Sequence, residues 1–442
     1  MPPVCYTCQI LPRLGVFGVS DMGRILVRFF LFITALATLA EQGQTAEEAR
    51  LLPAGINRIR LVGVNARTVT RKLNDDGNLS SLGGANQTVD MATMAAGNPR
   101  LNELRKTVNN LLGSGQGDNL YTGNLYQDIS IQQQIMGTAY EYGLSENWNI
   151  GVRLRFVRQT VRSGLKLEAV NNAPAIQSAI AANSAGNAEL NAALAQVAAL
   201  DAQAWENIIF RDKGYDAPSE FTTSNLGYTE VGAKYKILEG DWHYSSILMG
   251  VRVPTGKDPS LKNPLDTGTG ANYWGIGAQL FQDFYVSRAL SLGAAAKYEY
   301  YPTHTKTLAV PKDANETLPS LLPEAGQVQQ VKRKVGGQLD AEVSTTYEFD
   351  GDFVSLWAAY QYKKKAGDRF SGTGNLYYEG LSRGTRIEAF FGEVGVGLST
   401  ISLYRKKKFA VPMAVSLLYN TTLAGSNTPA ASSARVDMKF YF

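Results

Sequence analysis

The 442-residue chain is poor in cysteine and histidine, with two of each. Both cysteines, Cys5 and Cys8, fall in the first 21 residues. Their C-x-x-C spacing suits a redox or zinc pair in a cytosolic setting. Export with loss of the N-terminus, argued next, removes them, and disulfide and thiol chemistry go with them. Charge of one sign is also lacking. There are 43 Lys and Arg against 39 Asp and Glu, and the charges alternate in sign along candidate strands without forming a basic stripe. That excludes the electrostatic footprint of a nucleic-acid partner. Finally, the mean hydropathy of −0.16 rules out a bundle of transmembrane helices. It does not rule out a barrel, whose strands show only alternate residues to lipid.

One compact apolar run exists, Phe29 to Ala40, preceded by the basic segment Met22-Gly23-Arg24-Ile25-Leu26-Val27-Arg28 and ending in small residues. This is the pattern of a secretory signal peptide over 22–40, cleaved after Ala40. As an anchor the core is too short, at about 12 residues where a bilayer needs roughly 20. Residues 1–21 precede the n-region, where signal peptides rarely carry a leader. Translation is therefore expected to start at Met22, with 1–21 a mis-assigned leader and 41–442 the exported protein.

What the chain has in quantity is glycine (43) and aromatic residues (22 Tyr, 17 Phe, 5 Trp), set in alternating segments. From Lys334 to Phe349, Val335, Gly337, Leu339, Ala341, Val343, Thr345, Tyr347 and Phe349 take one face. Lys334, Gln338, Asp340, Glu342, Ser344, Thr346 and Glu348 take the other. The final segment sets Ala434, Val436, Met438, Phe440 and Phe442 against Arg435, Asp437, Lys439 and Tyr441. Period two is the signature of a strand with two unlike faces. Twelve such strands are expected, at about 55–71, 125–143, 147–167, 223–238, 242–254, 272–286, 289–302, 333–349, 352–365, 384–403, 408–423 and 432–442. A phase shift near Phe391-Gly392 suggests a bulge, and Gln132-Gln133-Gln134 weakens the second strand.

Connection lengths alternate. Long ones fall at 72–124, 168–222, 255–271, 303–332, 366–383 and 424–431; short ones centre on Ser145-Glu146, Glu239-Gly240, Ser287-Arg288, Asp350-Gly351 and Arg405-Lys406-Lys407. A sandwich has no reason to sort its loops by length onto two ends, whereas an outer-membrane barrel with both termini in the periplasm must. The expected fold is therefore all-β, a transmembrane antiparallel β-barrel of about twelve strands with helical inserts in two outer loops. Aromatic residues support two girdles. Trp148, Trp242, Tyr235, Phe284, Tyr285, Tyr347, Phe349, Phe353 and Phe409 lie near short turns, and Tyr228, Trp274, Tyr300, Tyr360, Tyr362 and Tyr419 toward long loops.

The inserts, at about 98–113 and 174–211, carry apolar residues at helical spacing: Leu101, Leu104, Val108, Leu111 and Leu112 in the first, Ile176, Ile180, Leu190, Leu194, Val197, Leu200, Ala204 and Ile208 in the second. The second is expected to divide near Gly186. Such stripes must be buried. Either the inserts pack on each other as an outer cap or one folds into the lumen as a plug.

Alternation places Arg58, Arg60, Arg153, Arg155, Lys234, Arg252, Lys297, Glu299, Lys334, Asp340, Glu342, Arg386, Glu388, Arg435 and Asp437 inside as candidate pore-lining residues, with Glu230, Glu348 and Lys439 among them. They either fill the barrel with ion pairs or line a polar path. No catalytic constellation accompanies them, since His243 and His304 fall at opposite ends of the expected barrel without a partnered nucleophile. The glycines at Gly268-Thr269-Gly270 and Gly275-Ile276-Gly277 enter a strand, not the helix a phosphate loop requires. Asn74-Asp75-Asp76-Gly77-Asn78 and the pair Asp258 and Asp266 are weak calcium candidates, because turns favour the same residues. No metal or cofactor is expected.

Gly250-Val251-Arg252-Val253-Pro254-Thr255-Gly256-Lys257-Asp258, then Pro264-Leu265-Asp266-Thr267-Gly268-Thr269-Gly270 and the strand from Tyr273, resemble a strand–loop–strand stretch of outer-membrane transporters linked to phenol degradation. These are distant relatives of the long-chain fatty-acid channel. Leu52-Pro53-Ala54-Gly55 is similar to that family's mature N-terminus. The resemblance implies uptake of small hydrophobic or aromatic compounds. The expected function is passive diffusion of small solutes across the outer membrane. The alternative is a closed structural or adhesive barrel whose outer loops bind a partner. Expected partners are outer-membrane lipid, small-molecule solutes and the outer-membrane assembly machinery, for which Phe440 and Phe442 resemble the C-terminal signal. Oligomeric state is left open.

Overall fold

A sheet with one apolar face can sit in lipid only if every backbone edge is paired, which closure into a barrel achieves. The computed structural model shows that closure. It describes residues 49–83, 87–90, 99–113, 115–168, 172–183, 188, 191–192, 194–195, 201–217, 219–263, 265–266, 268–270, 272–312, 328–349 and 353–442. The leader, the signal segment and the division near Gly186 lie outside them.

Twelve strands form the wall: β1 Asn57–Ala66, β2 Tyr121–Ser145, β3 Trp148–Glu168, β4 Thr229–Glu239, β5 His243–Val253, β6 Gly275–Tyr285, β7 Leu290–Tyr300, β8 Gln338–Glu348, β9 Val354–Lys365, β10 Ile387–Ser399, β11 Met413–Ser426 and β12 Ser432–Tyr441. Each pairs antiparallel with the next, and β12 returns to β1 with Arg60 opposite Lys439. The short strands Gln87–Asp90 and Phe221–Leu226 lengthen the sheet beside β2 and β3. The turns after β2, β4 and β6 gather at one end with the C-terminus, as the loop lengths require, while the expected turn at Asp350-Gly351 lies outside the described residues.

Leu339, Val343, Leu356, Val394, Val396, Leu417 and Met249 are exposed on the outside, while Gln338, Gln279, Glu393 and Asp437 on the other strand faces are buried. In water such an exterior would aggregate. In a bilayer it is the lipid-facing band. Trp148, Trp242, Tyr235, Tyr347, Phe349, Phe353 and Phe409 are exposed at the short-turn end, and Trp274, Tyr300, Tyr360 and Tyr419 toward the other. Two expected girdle residues turn inward instead: Tyr228 is buried, and the Tyr285 hydroxyl accepts from Arg50 Nε at 2.8 Å.

β2 and β3 run past the membrane as a long hairpin, and their face pattern inverts on the way. Near the lipid, Met136 and Phe156 are cross-strand partners and both point out. One step further, Gln134 and Arg158 are exposed on that same outer face, while Ile131, Ile135, Val157 and Val161 are buried on the inner one. Of the glutamines that weaken the expected strand, Gln134 therefore lies on the solvent face of an unbroken one, while Gln133 faces in and donates to Gln159 at 3.4 Å. β10 behaves alike, with Ile387, Ala389 and Phe391 buried inside. The phase change expected at Phe391-Gly392 comes from the partner strand: Phe390 pairs with Ala424 and Phe391 with Thr422, which leaves Leu423 of β11 as the extra residue.

Three strand ends differ from the sequence expectation. After Ala66 the chain leaves the wall, and Arg71–Leu73 and Leu79–Ser81 form a small sheet with Thr428–Pro429. Before β8, Val328–Lys334 belongs to a separate outer sheet with His304–Ala309 and Arg369–Ser371. The break falls at Gly336, where a Cβ would lie 1.9 Å from the Ala366 carbonyl oxygen. Past Ser399 the chain turns into a short helix, Ile401–Arg405.

The inserts carry α1 Pro99–Leu112, α2 Ala173–Asn183 and α3 Ala202–Ile209. α1 packs on α2, burying Leu104, Val108, Ile176 and Ile180, and α3 packs on β3.

Candidate functional site

The interior divides into a filled half and an open half. On β8 to β12 and β1, polar side chains knit together. Arg60 holds Asp437 through two nitrogens, at 2.6 and 3.0 Å, and Arg435 holds Glu393 at 2.9 Å. Asn420 donates to Glu393 at 3.1 Å, and Gln361 donates to Glu342 at 3.0 Å. Buried charges are tolerable only when paired and hydrogen-bonded in this way.

On β1 to β7 the interior opens into a chamber of about 980 Å³, a volume that includes its opening to solvent. Gly151, Gly232, Gly250 and Gly277 make the space. They are cross-strand neighbours on β3, β4, β5 and β6, and all four line the chamber. Without side chains, four consecutive strands present bare backbone to the lumen.

Seven of the fifteen expected pore-lining residues border this chamber: Arg58, Arg60, Arg153, Lys234, Arg252, Lys297 and Glu299. Arg252 donates to both Glu299 oxygens, at 2.9 and 3.0 Å, and Lys297 meets Glu299 at 3.3 Å. Arg153 lies 3.4 Å from Glu230, and Arg58 pairs with Glu141. Lys234 sits over the Phe281 ring at 4.5 Å. Arg252 and Arg155 both stack on Tyr228, at 3.9 and 4.6 Å, so the inward turn of that tyrosine binds two guanidiniums.

The other expected residues fall elsewhere. Glu342, Arg435 and Asp437 belong to the filled half. Asp340 accepts from Gln338 at 2.8 Å on the inner face of β8. Lys334 is exposed on the outer sheet, outside the wall, because the chain breaks at Gly336 before β8 begins. Arg386 and Glu388 face outward at the outer rim, where Glu388 accepts from the Tyr362 hydroxyl at 2.9 Å. Their inward placement assumed that apolar residues face out, whereas here Ile387 and Ala389 face in.

Both ends of the lumen are narrowed by segments the alternation pattern does not reveal. At the outer end, the loop from β5 to β6 bends inward. Thr255 Oγ1 donates to the Gly227 carbonyl at 2.6 Å and Thr269 Oγ1 to the Leu226 carbonyl at 2.9 Å, which pins the loop at the gap before β4. Leu265, fully buried, joins a cluster with Val69, Leu82, Ile129, Ile131, Val161 and Ile387. This apolar plug explains the inverted faces of β2, β3 and β10: above the membrane the barrel has a core, and water is outside.

At the short-turn end, residues 49–53 form a strap along the inner wall. Ser246 Oγ donates to the Ala49 carbonyl at 2.6 Å, Ala49 N donates to Asp283 at 2.8 Å, and Leu51 N donates to the Tyr244 hydroxyl at 3.3 Å. Ala49, Tyr244 and Phe281 form a buried cluster with Leu51 and Leu248 packed on it.

The candidate calcium residues serve as turn and loop ties. Asn74 Oδ1 accepts from the amides of Asp76 and Asn78, with Gly77 at φ +79°. Asp266 accepts from Ser260 N and Gly268 N, and Asp258 pairs with Lys306 at 2.9 Å. Outside the wall, Asp368 rivets the outer sheet. It accepts from Arg333 at 2.6 Å, Lys365 at 2.5 Å and Gly336 N at 2.9 Å. Burial pushes its carboxyl up, but Arg333 and Lys365 outweigh that and hold it below the ordinary range.

A closed sheet with a lipid-facing band, two aromatic girdles and a charged interior defines an outer-membrane β-barrel. No family model matches the chain, and no curated protein does. Among solved structures it is similar to an outer-membrane channel from Pseudomonas putida F1, with TM-score 0.49 at 12% identity over 90% of this chain and 100% of that one. It is also similar to the translocator domain of the autotransporter NalP from Neisseria meningitidis, with TM-score 0.40 at 11% identity over 92% and 98%. The CymD monoaromatic hydrocarbon channel follows, with TM-score 0.31 at 9% identity over 93% and 91%. At these scores the reading of the site rests on this chain's own residues.

Proposed function

We propose that this protein is a non-enzymatic outer-membrane channel through which small solutes, including hydrophobic and aromatic compounds, diffuse passively. The chamber carries the reading. Side chains just fill a barrel of about eight strands; twelve enclose more, and β3 to β6 align four glycines that leave an open volume in the lumen. An apolar outer cluster leading to a charged chamber suits solutes with an apolar body. Phe442, 60% exposed, has the lipid-facing position of a residue that marks the last strand for assembly.

Single-channel recording in planar bilayers tests the proposal with the folded, full-length exported protein. A reproducible open step is expected. A folded barrel that never conducts would overturn the reading.

A further inference from the structure

The chamber is not electrically balanced. Seven basic residues border it against three carboxylates, Glu141, Glu230 and Glu299. Counting also Asp437, which holds Arg60 from behind, and Asp340, the cross-strand partner of Lys297, still leaves an excess of two cations. The excess lies in a cavity with low-dielectric walls, where field lines are focused and the local concentration of counter-ions rises. The lysines of the lining, Lys234, Lys297 and Lys439, come from three separate strands, β4, β7 and β12, so positive charge surrounds the volume instead of marking one wall.

Shape and polarity narrow the class of anion. The glycine face is flat and uncharged, and Leu248 and Ala139 add apolar lining. Toward the outside, Leu265 and its cluster are apolar. A hydrated inorganic ion makes no use of these surfaces. An organic acid with a flat apolar body and one ionised carboxylate uses both, with the body against backbone and aliphatic wall and the carboxylate toward lysine and arginine. Guanidinium and ammonium groups are the donors that carboxylates accept from most strongly.

We infer that the chamber is a binding site for small organic carboxylates with an apolar body, and that it makes the channel anion-selective. This rests on the channel reading above. The conformations of Gly151, Gly232, Gly250 and Gly277 are ordinary for strands, with no positive φ; close neighbours keep them bare, since a Cβ at Gly232 would lie 2.9 Å from the Met249 carbonyl oxygen and one at Gly277 3.1 Å from Glu299 Cγ.

Reversal potentials in a potassium chloride gradient, followed by added sodium benzoate, test the inference on the full-length barrel. Chloride is expected to be severalfold more permeant than potassium, and benzoate to reduce the chloride current where benzyl alcohol at equal concentration does not. In K234E/K439E the preference should fall toward none and the benzoate effect should weaken. K234Q/K439Q, which adds no new charge, should move both readouts the same way by less. A conducting wild-type barrel that is non-selective or prefers potassium, or one that benzoate and benzyl alcohol affect equally, overturns the anion site while leaving the channel standing. A barrel that never conducts overturns both.

Discussion

The Ser246 hydroxyl donates to the carbonyl oxygen of Ala49 across 2.6 Å, joining the wall at β5 to a segment 197 residues earlier in the chain. Together with the Ala49 N–H on Asp283, this contact lays the strap beneath the chamber. Such bonds contribute about 1 kcal/mol each, so the strap is held firmly enough to narrow the pore and weakly enough to be released by substitution. The pair Ser246→Ala and Asp283→Ala is expected to raise single-channel conductance while the barrel still folds, as judged by its heat-modifiable migration on gels. Unchanged conductance would show that the strap does not restrict flow.

Leu265 is the centre of the outer plug. Leu265→Ala removes buried methyl groups from a cluster drawn from five separate stretches of chain, a change that costs about 2–5 kcal/mol in a rigid core. The barrel wall does not depend on it, so the loss should appear in the outer loops. Faster hydrogen exchange at the Thr269 amide and higher conductance are expected. A variant with wild-type exchange at Thr269 would argue against Leu265 as the anchor.

The glycine belt predicts the opposite change. Leucine at Gly250 points into the chamber, with its Cβ meeting the Val231 carbonyl at 3.1 Å, a contact that a small shift of the strand relieves. Gly250→Leu should lower conductance and abolish the benzoate effect without preventing assembly. Gly164, on the part of β3 beyond the membrane, has nothing within 4 Å of its Cβ position, and Gly164→Ala should leave both readouts alone.

The outer sheet should loosen in acid. Asp368 has a folded-state pKa below its unfolded value, so its contribution is present above the unfolded pKa and is lost as pH falls through the folded one. His304 is lowered as well, by burial first and by Arg333 next, so its protonation in acid works in the same direction. Amide exchange at Val328–Lys334 should quicken on acidification beyond the intrinsic pH effect. Asp368→Asn strands Arg333, a loss of about 3–5 kcal/mol for a broken buried pair. It should bring the acid behaviour to neutral pH. Acid-independent protection in the wild type would exclude this account.

How much of this was legible beforehand depends on which rule governs each residue. Within the lipid, alternation sorts side chains unambiguously. Asp340, Glu342, Arg435 and Asp437 face inward, and Val343, Val436 and Phe442 outward, because a charge against hydrocarbon costs too much to be tolerated. Arg386, Glu388 and Lys334 escape the rule because they lie beyond the lipid, where the outer face meets water. There the pattern carries no sign of which side is which.

The sequence by itself determined twelve strands, their direction, the sorting of long and short connections onto two ends and the aromatic girdles, since all of these follow from local periodicity and the thickness of a bilayer. Only the tertiary structure decided that Leu265 from one loop and Ala49 from the N-terminal segment narrow the two ends, that Tyr228 turns inward beneath Arg252, and that Glu393, Gln361 and Asn420 fill half of the lumen. These depend on which side chains and which loops the closed barrel brings together inside it. Some contacts join residues far apart in the chain, as Ala49 and Ser246 are at 197 positions, others residues of neighbouring strands, as Glu393 and Asn420 are, and neither kind leaves a period in the chain.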